Sequence, residues 1–86
     1  MILFPNEIAI LNSLDSKYKY ITRDSTGDLY IYSKRPFKLK GTKIWDCEDG
    51  RATPFVMYNH LFSHINYTDK EPRKIKELIN RYEYVR

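Results

Sequence analysis

One cysteine, three glycines and no long apolar run are what this chain is short of. The lone Cys47 cannot close an internal disulfide, which leaves stability to the core and fits a reducing cytosol. Gly27, Gly41 and Gly50 stand singly in turn-like stretches, so they build neither a phosphate-cradling loop nor a dinucleotide fingerprint. No apolar stretch approaches the ~20 residues of a membrane span. The opening MILFP lacks a basic start, a long apolar centre and a cleavage-like site, so no secretory signal is expected. A nucleophile elbow, a calcium loop, a helix-turn-helix and an RNP-type signature are missing too. The expectation is a protein that is not an enzyme and carries no cofactor.

What is present suits one small domain over residues 1–86. The chain is 42% hydrophobic and 30% charged, neither disordered nor fibrous in composition. At this length roughly 60–65% of the unfolded surface can be buried, enough for one modest core. The net charge of +4 is unevenly spread. Residues 17–43 hold eight cations against Asp24 and Asp28, whereas 1–16 and 44–60 are each slightly acidic. Such a field attracts nucleic acid or an acidic protein surface and speeds encounter. The plain alternative is ordinary solvation.

Periodicity predicts an α+β fold: a three- or four-stranded antiparallel sheet, an N-terminal helix, and a C-terminal amphipathic helix packed on one face. In PNEIAILNSLDSK, Ile8, Leu11 and Leu14 recur at helical spacing, with Asn6 as the expected N-cap and Glu7 in the first turn. KYKYITRDSTGDLYIYSK reads as a β-hairpin, with strands near 18–23 and 28–33 and a turn at Gly27. Alternation puts Tyr18, Tyr20 and Thr22 opposite Lys19, Ile21 and Arg23, and Tyr30 and Tyr32 opposite Leu29 and Ile31. Pro36 implies an exit from the sheet, making 34–41 a loop. TKIWD is expected to return as a third strand, with Ile44 or Trp45 inward. TPFVMYN reads as a fourth, short strand, and HLFSHI as a helical turn pressing Leu61, Phe62 and Ile65 inward. In TDKEPRKIKELINRYEYVR, Ile75, Leu78, Ile79, Tyr82 and Val85 make an amphipathic stripe, with Asp69 or Glu71 as cap and Pro72 in the first turn.

Two constellations invite chemistry. Cys47, His60 and His64 have the C-x12-H-x3-H spacing of the downstream part of a zinc finger. The partner cysteine that should precede Cys47 is absent, so no metal is expected. Asp46, Glu48 and Asp49 crowd a turn without the spaced oxygens of a calcium loop. That leaves surfaces. Lys34, Arg35, Lys38, Lys40 and Lys43 lie within SKRPFKLKGTK and are the candidate steering residues. Tyr30, Tyr32 or Phe37 are candidate anchors, because aromatic and arginine side chains dominate hot spots. For the tyrosines, burial against the helices is the competing reading. Basic residues near rings also suit single-stranded nucleic acid. Strand alternation, however, separates Lys19 and Arg23 from Tyr18 and Tyr20.

YKYITRDSTGDLYIYSKRP, followed after a tryptophan by LFSHINYTDKEPRKIKELI, resembles small phage and prophage accessory proteins of Gram-positive bacteria. The matching positions are Tyr18 to Ile21, Arg23, Asp24, Gly27, Asp28, Pro36, Trp45, Leu61, Phe62, Glu71, Pro72, Ile75, Leu78 and Ile79. The chain departs from the group in HINYTDK and in being basic. The resemblance implies a non-catalytic phage protein in the host cytoplasm that binds and inhibits or modulates a host protein. A counter-defence target such as a CRISPR nuclease is one candidate. The partner expected from the charge is a host protein with an acidic surface or a nucleoprotein complex. The alternative is a small basic nucleic-acid-binding protein. No membrane association is expected.

Overall fold

The computed structural model describes residues 3–42, 44–48 and 51–85, with side chains described to residue 80. Its elements are α1 (Pro5–Ser13), β1 (Tyr20–Arg23), β2 (Leu29–Tyr32), β3 (Phe37–Lys38), β4 (Trp45–Asp46), β5 (Thr53–Pro54), a 3-10 turn (Val56–Tyr58), β6 (Arg73–Lys74) and α2 (Ile75–Val85). One antiparallel sheet has the order β5-β2-β1-β6, and β3 and β4 form a separate two-stranded sheet. The fold is α+β, as the periodicity predicts.

Helix α1 starts two residues earlier than Asn6 as its N-cap would place it. Phe4 is the N-cap and Pro5 the first helical residue, where a missing N–H costs nothing. The capping oxygen comes from inside the helix: the Phe4 N–H donates to Glu7 Oε1 at 2.8 Å. Leu3, Ile8 and Leu11 are buried in the core.

The central hairpin pairs Tyr20 with Tyr32, Ile21 with Ile31, Thr22 with Tyr30 and Arg23 with Leu29. Gly27, at φ +95°, takes the turn conformation that a side chain would resist. This register sends Ile21, Leu29 and Ile31 to one face, where they pack with Leu11, Phe62, Ile65, Ile75 and Leu78. Both helices therefore lie on that face. The opposite face carries Tyr20, Tyr30 and Tyr32 and packs against Trp45 and Cys47.

Several expectations change. TKIWD does not join the main sheet; Trp45 and Asp46 pair instead with Lys38 and Phe37. Pro36, buried and without an N–H, ends the main ladder, and the chain begins a new hairpin straight after it. The stretch 34–41 is thus only partly loop. TPFVMYN contributes just Thr53 and Pro54 to an edge strand before turning at Val56. HLFSHI forms turns rather than a helical segment, although Phe62 and Ile65 are fully buried and Leu61 is half-buried. Phe62 sits at φ 57°, a left-handed conformation uncommon for a ring-bearing residue. Neither Asp69 nor Glu71 caps α2. Arg73 and Lys74 first pair with β1, and the helix begins at Ile75. Asp69 instead accepts from the Arg73 Nε–H at 3.0 Å, and Glu71 faces Arg35. Tyr82 and Val85 of the expected stripe, like the Gly50 turn, lie outside the described side chains.

One arginine braces the turns at 59–65 from within. The Arg23 guanidinium donates to the backbone carbonyls of Ile65 (2.8 Å), Gly27 (2.7 Å), Asn59 (2.9 Å), Leu61 (2.7 Å) and Phe62 (3.2 Å). Burial lowers its pKa from the ordinary value and Asp28 opposes the shift, so the planar donor fork stays cationic.

Candidate protein-docking surface

The second hairpin, β3 and β4 with the Gly41 turn between them, has two unlike faces. Gly41 is at φ 79°, and the ladder extends beyond the strands through the Leu39 N–H to the Ile44 carbonyl at 3.3 Å. With Lys38 opposite Trp45, these two point inward together, while Phe37 and its partner Asp46, with Leu39 and Ile44, fall on the outer face.

On the inner face Trp45 is only 5% exposed and seals the tyrosine side of the main sheet. The Trp45 N–H donates to Asp24 Oδ1 at 3.1 Å. Burial raises the Asp24 carboxyl above its ordinary value, and the bond from Trp45 opposes that. The Lys38 ammonium lies 4.6 Å from the Tyr67 ring centroid and 5.1 Å from that of Trp45. It is a cation between two ring faces, within the range where the quadrupole attracts it. The Tyr67 hydroxyl completes the clasp by donating to the Thr42 carbonyl at 3.1 Å.

Tyr32 is corrected as an anchor. It is 1% exposed, and its phenol accepts from the Thr22 hydroxyl at 3.0 Å. Burial pushes its pKa up to about 12, with the Thr22 bond acting the other way. Its cover is Trp45 and not the helices. Tyr30 is half-buried beside it. Lys38 is not a free steering charge, because the rings hold it.

The outer face keeps the other candidates. Phe37 is 46% exposed and Ile44 43%, with Leu39 half-buried in the same strand pair. Lys34, Arg35 and Lys40 are exposed around them. Arg35 reaches Glu71 at 3.5 Å, an exposed pair that leaves the guanidinium available. Lys43 lies outside the described residues. Sequence reasoning missed Ile44 as the neighbour of Phe37. The signal was present in F-K-L and I-W-D, two alternating triplets on either side of Gly41.

The Cys47, His60 and His64 spacing does not become a site. Cys47 is buried on the tyrosine side, His60 is exposed, and His64 is half-buried with its pKa held below the ordinary value by burial and then by Arg73. Among the described residues no three His, Cys, Asp or Glu side chains converge as metal ligands. Nor does any described helix have the length and apolarity to cross a membrane. Comparison with protein-family models, with curated proteins and with solved structures gives no match to this chain.

Proposed function

We propose that this is a non-catalytic binding protein that docks on an acidic surface of a host protein through the outer face of the 37–46 hairpin. One observation carries the reading: Phe37 and Ile44 stand exposed beside Lys34, Arg35 and Lys40 while Trp45 and Tyr32 are buried. The surface offers an apolar centre with three cations at its rim and one half-buried carboxylate, Asp46, whose Oδ1 already accepts the Cys47 N–H at 2.8 Å; apolar centre and polar rim are the anatomy of a protein interface. A single-strand binder would instead present a row of flat rings next to its cations. A standard interface of ~800 Å² per partner is about one seventh of the 5803 Å² surface, feasible without an enclosed pocket.

The resemblance to phage and prophage accessory proteins supports a phage origin and a role in the host cytoplasm. It suits inhibition by covering a host machine, counter-defence against a CRISPR nuclease among the candidates. The test is a pull-down from host lysate with and without nuclease, using the natural chain and a Phe37→Asp/Ile44→Asp variant. A partner that survives nuclease and is lost with the variant supports the reading. If every partner vanishes with nuclease, and binding to duplex DNA falls with salt at a log–log slope of about −2.7, the value for phosphate contacts by Lys34, Arg35 and Lys40, the protein is a nucleic-acid binder.

A further inference from the structure

We infer that a second surface, the groove between the end of α1 and the start of α2, binds an acidic amphipathic peptide segment of another protein. The groove encloses about 600 Å³ and is open to solvent. Its floor is largely aliphatic: Leu11 and Ile75 are buried there, and Leu14 and Ile79 are half-buried with surface to spare, beside the half-buried Tyr18. Its rim is cationic, with Lys19, Lys74 and Lys76 all exposed.

Among the described residues little answers those charges. Asp15 is the single carboxylate of the lining, and its Oδ1 already accepts the Lys17 N–H at 2.9 Å. Lys74 has Glu77 at 3.8 Å, with both side chains more than half exposed, a pair of little strength in water. The groove therefore sets a net positive rim over an apolar floor.

That pairing selects the occupant. A neutral apolar segment gains nothing from the lysines, and a purely acidic one gains nothing from the floor. Of the two tyrosines that line the groove, Tyr18 is half-buried against the core under the Lys17 ammonium and Tyr20 packs toward Trp45, whereas a nucleic-acid strand stacks its bases on a row of exposed flat rings. An enclosed ligand pocket covers most of its ligand; an open trough suits a chain laid across it. The matching chemistry is a peptide with apolar residues pointing down and carboxylates at the edges. None of Lys34, Arg35, Phe37, Lys40 or Ile44 lines this groove, so it stands or falls apart from the hairpin interface.

The test uses the isotope-labelled full chain and three probes: a capped six-residue peptide of alternating leucine and glutamate, its leucine–glutamine counterpart, and a short oligothymidylate. The expected result is that the leucine–glutamate peptide shifts the amide resonances of residues 11–20 and 74–79. The glutamine peptide and a Lys19→Glu/Lys76→Glu variant should each lose about tenfold in affinity. Charge reversal at Lys34, Arg35 and Lys40 should leave that binding unchanged. Absence of shifts in the groove, equal binding of the two peptides, or preferential seating of the oligothymidylate there overturns the inference. Should the double variant unfold, the comparison of the two peptides on the natural chain decides alone.

Discussion

Glu7 and Phe62 are separated by 55 positions in the chain, yet the Phe62 N–H donates to Glu7 Oε2 at 2.5 Å. The other oxygen of the same carboxylate takes the Phe4 N–H, so one buried side chain starts α1 and ties the left-handed Phe62 turn to it. Glu7→Ala should leave two amides without acceptors and lower stability by about 3 kcal/mol. Glu7→Gln retains one accepting oxygen and should cost about half as much. Urea unfolding of the two variants checks the order, and equal losses would mean that only one of the bonds matters.

Arg23 makes a second prediction. Four of its five carbonyl acceptors, Asn59, Leu61, Phe62 and Ile65, come from a run of turns outside any strand or helix. Arg23→Lys keeps the charge but not the planar fork, and should destabilise by about 2–3 kcal/mol. Hydrogen exchange should quicken first at residues 59–65. A variant that melts with the natural chain and shows unaltered exchange there would refute this.

Lys38 should behave as a structural residue. Lys38→Gln removes the cation from between Tyr67 and Trp45 at a cost of about 1 kcal/mol. Because Trp45 is the sole tryptophan, its fluorescence reports the change directly. An unchanged emission spectrum with unchanged stability would mean that the clasp holds nothing.

Tyr32 predicts an alkaline limit to stability. Its folded pKa of about 12 lies above the ordinary 10.0, so folding favours the protonated phenol. The unfolded chain releases its proton first as pH rises. The contribution, on the order of 2–3 kcal/mol, is complete below pH 10 and is lost between about pH 10 and 12. Tyr32→Phe should flatten the decline in melting temperature over that range, and an equally steep decline in the variant would locate the effect elsewhere.

At the hairpin, Phe37→Asp/Ile44→Asp should abolish partner binding while shifting the melting temperature little, since both side chains are only half-covered. Charge reversal at Lys34, Arg35 and Lys40 should slow association and invert its salt dependence, so that added salt speeds association instead of slowing it, leaving dissociation nearly unchanged. Surface-based kinetics on the captured partner separates the two effects.

Much of this architecture is written in period and punctuation. Tyr20 to Arg23 and Leu29 to Tyr32 alternate on either side of Gly27, and Ile75 and Leu78 recur one helical turn apart, so the hairpin and α2 were legible. The shorter strands were not, because Phe37–Lys38, Thr53–Pro54 and Arg73–Lys74 are each two residues long and carry no detectable period. Their existence depends on distant partners: Lys74 becomes a strand because Tyr20 lies beside it. Arg23 looked like one of many surface cations, since nothing local reveals that residues 59–65 will fold back across it. Of the candidate site, Lys34, Arg35, Lys40 and Phe37 are exposed where charge and ring content suggested. Tyr32 and Lys38 went inward because Trp45 needed a floor and a roof.

The two-faced 37–46 hairpin has an evolutionary corollary. Neighbouring residues on one short ribbon answer to different demands: Lys38 and Trp45 serve the protein's own integrity, whereas Phe37 and Ile44 are only half-covered by it. Substitution can therefore vary the outward side while the inward side keeps the ribbon seated.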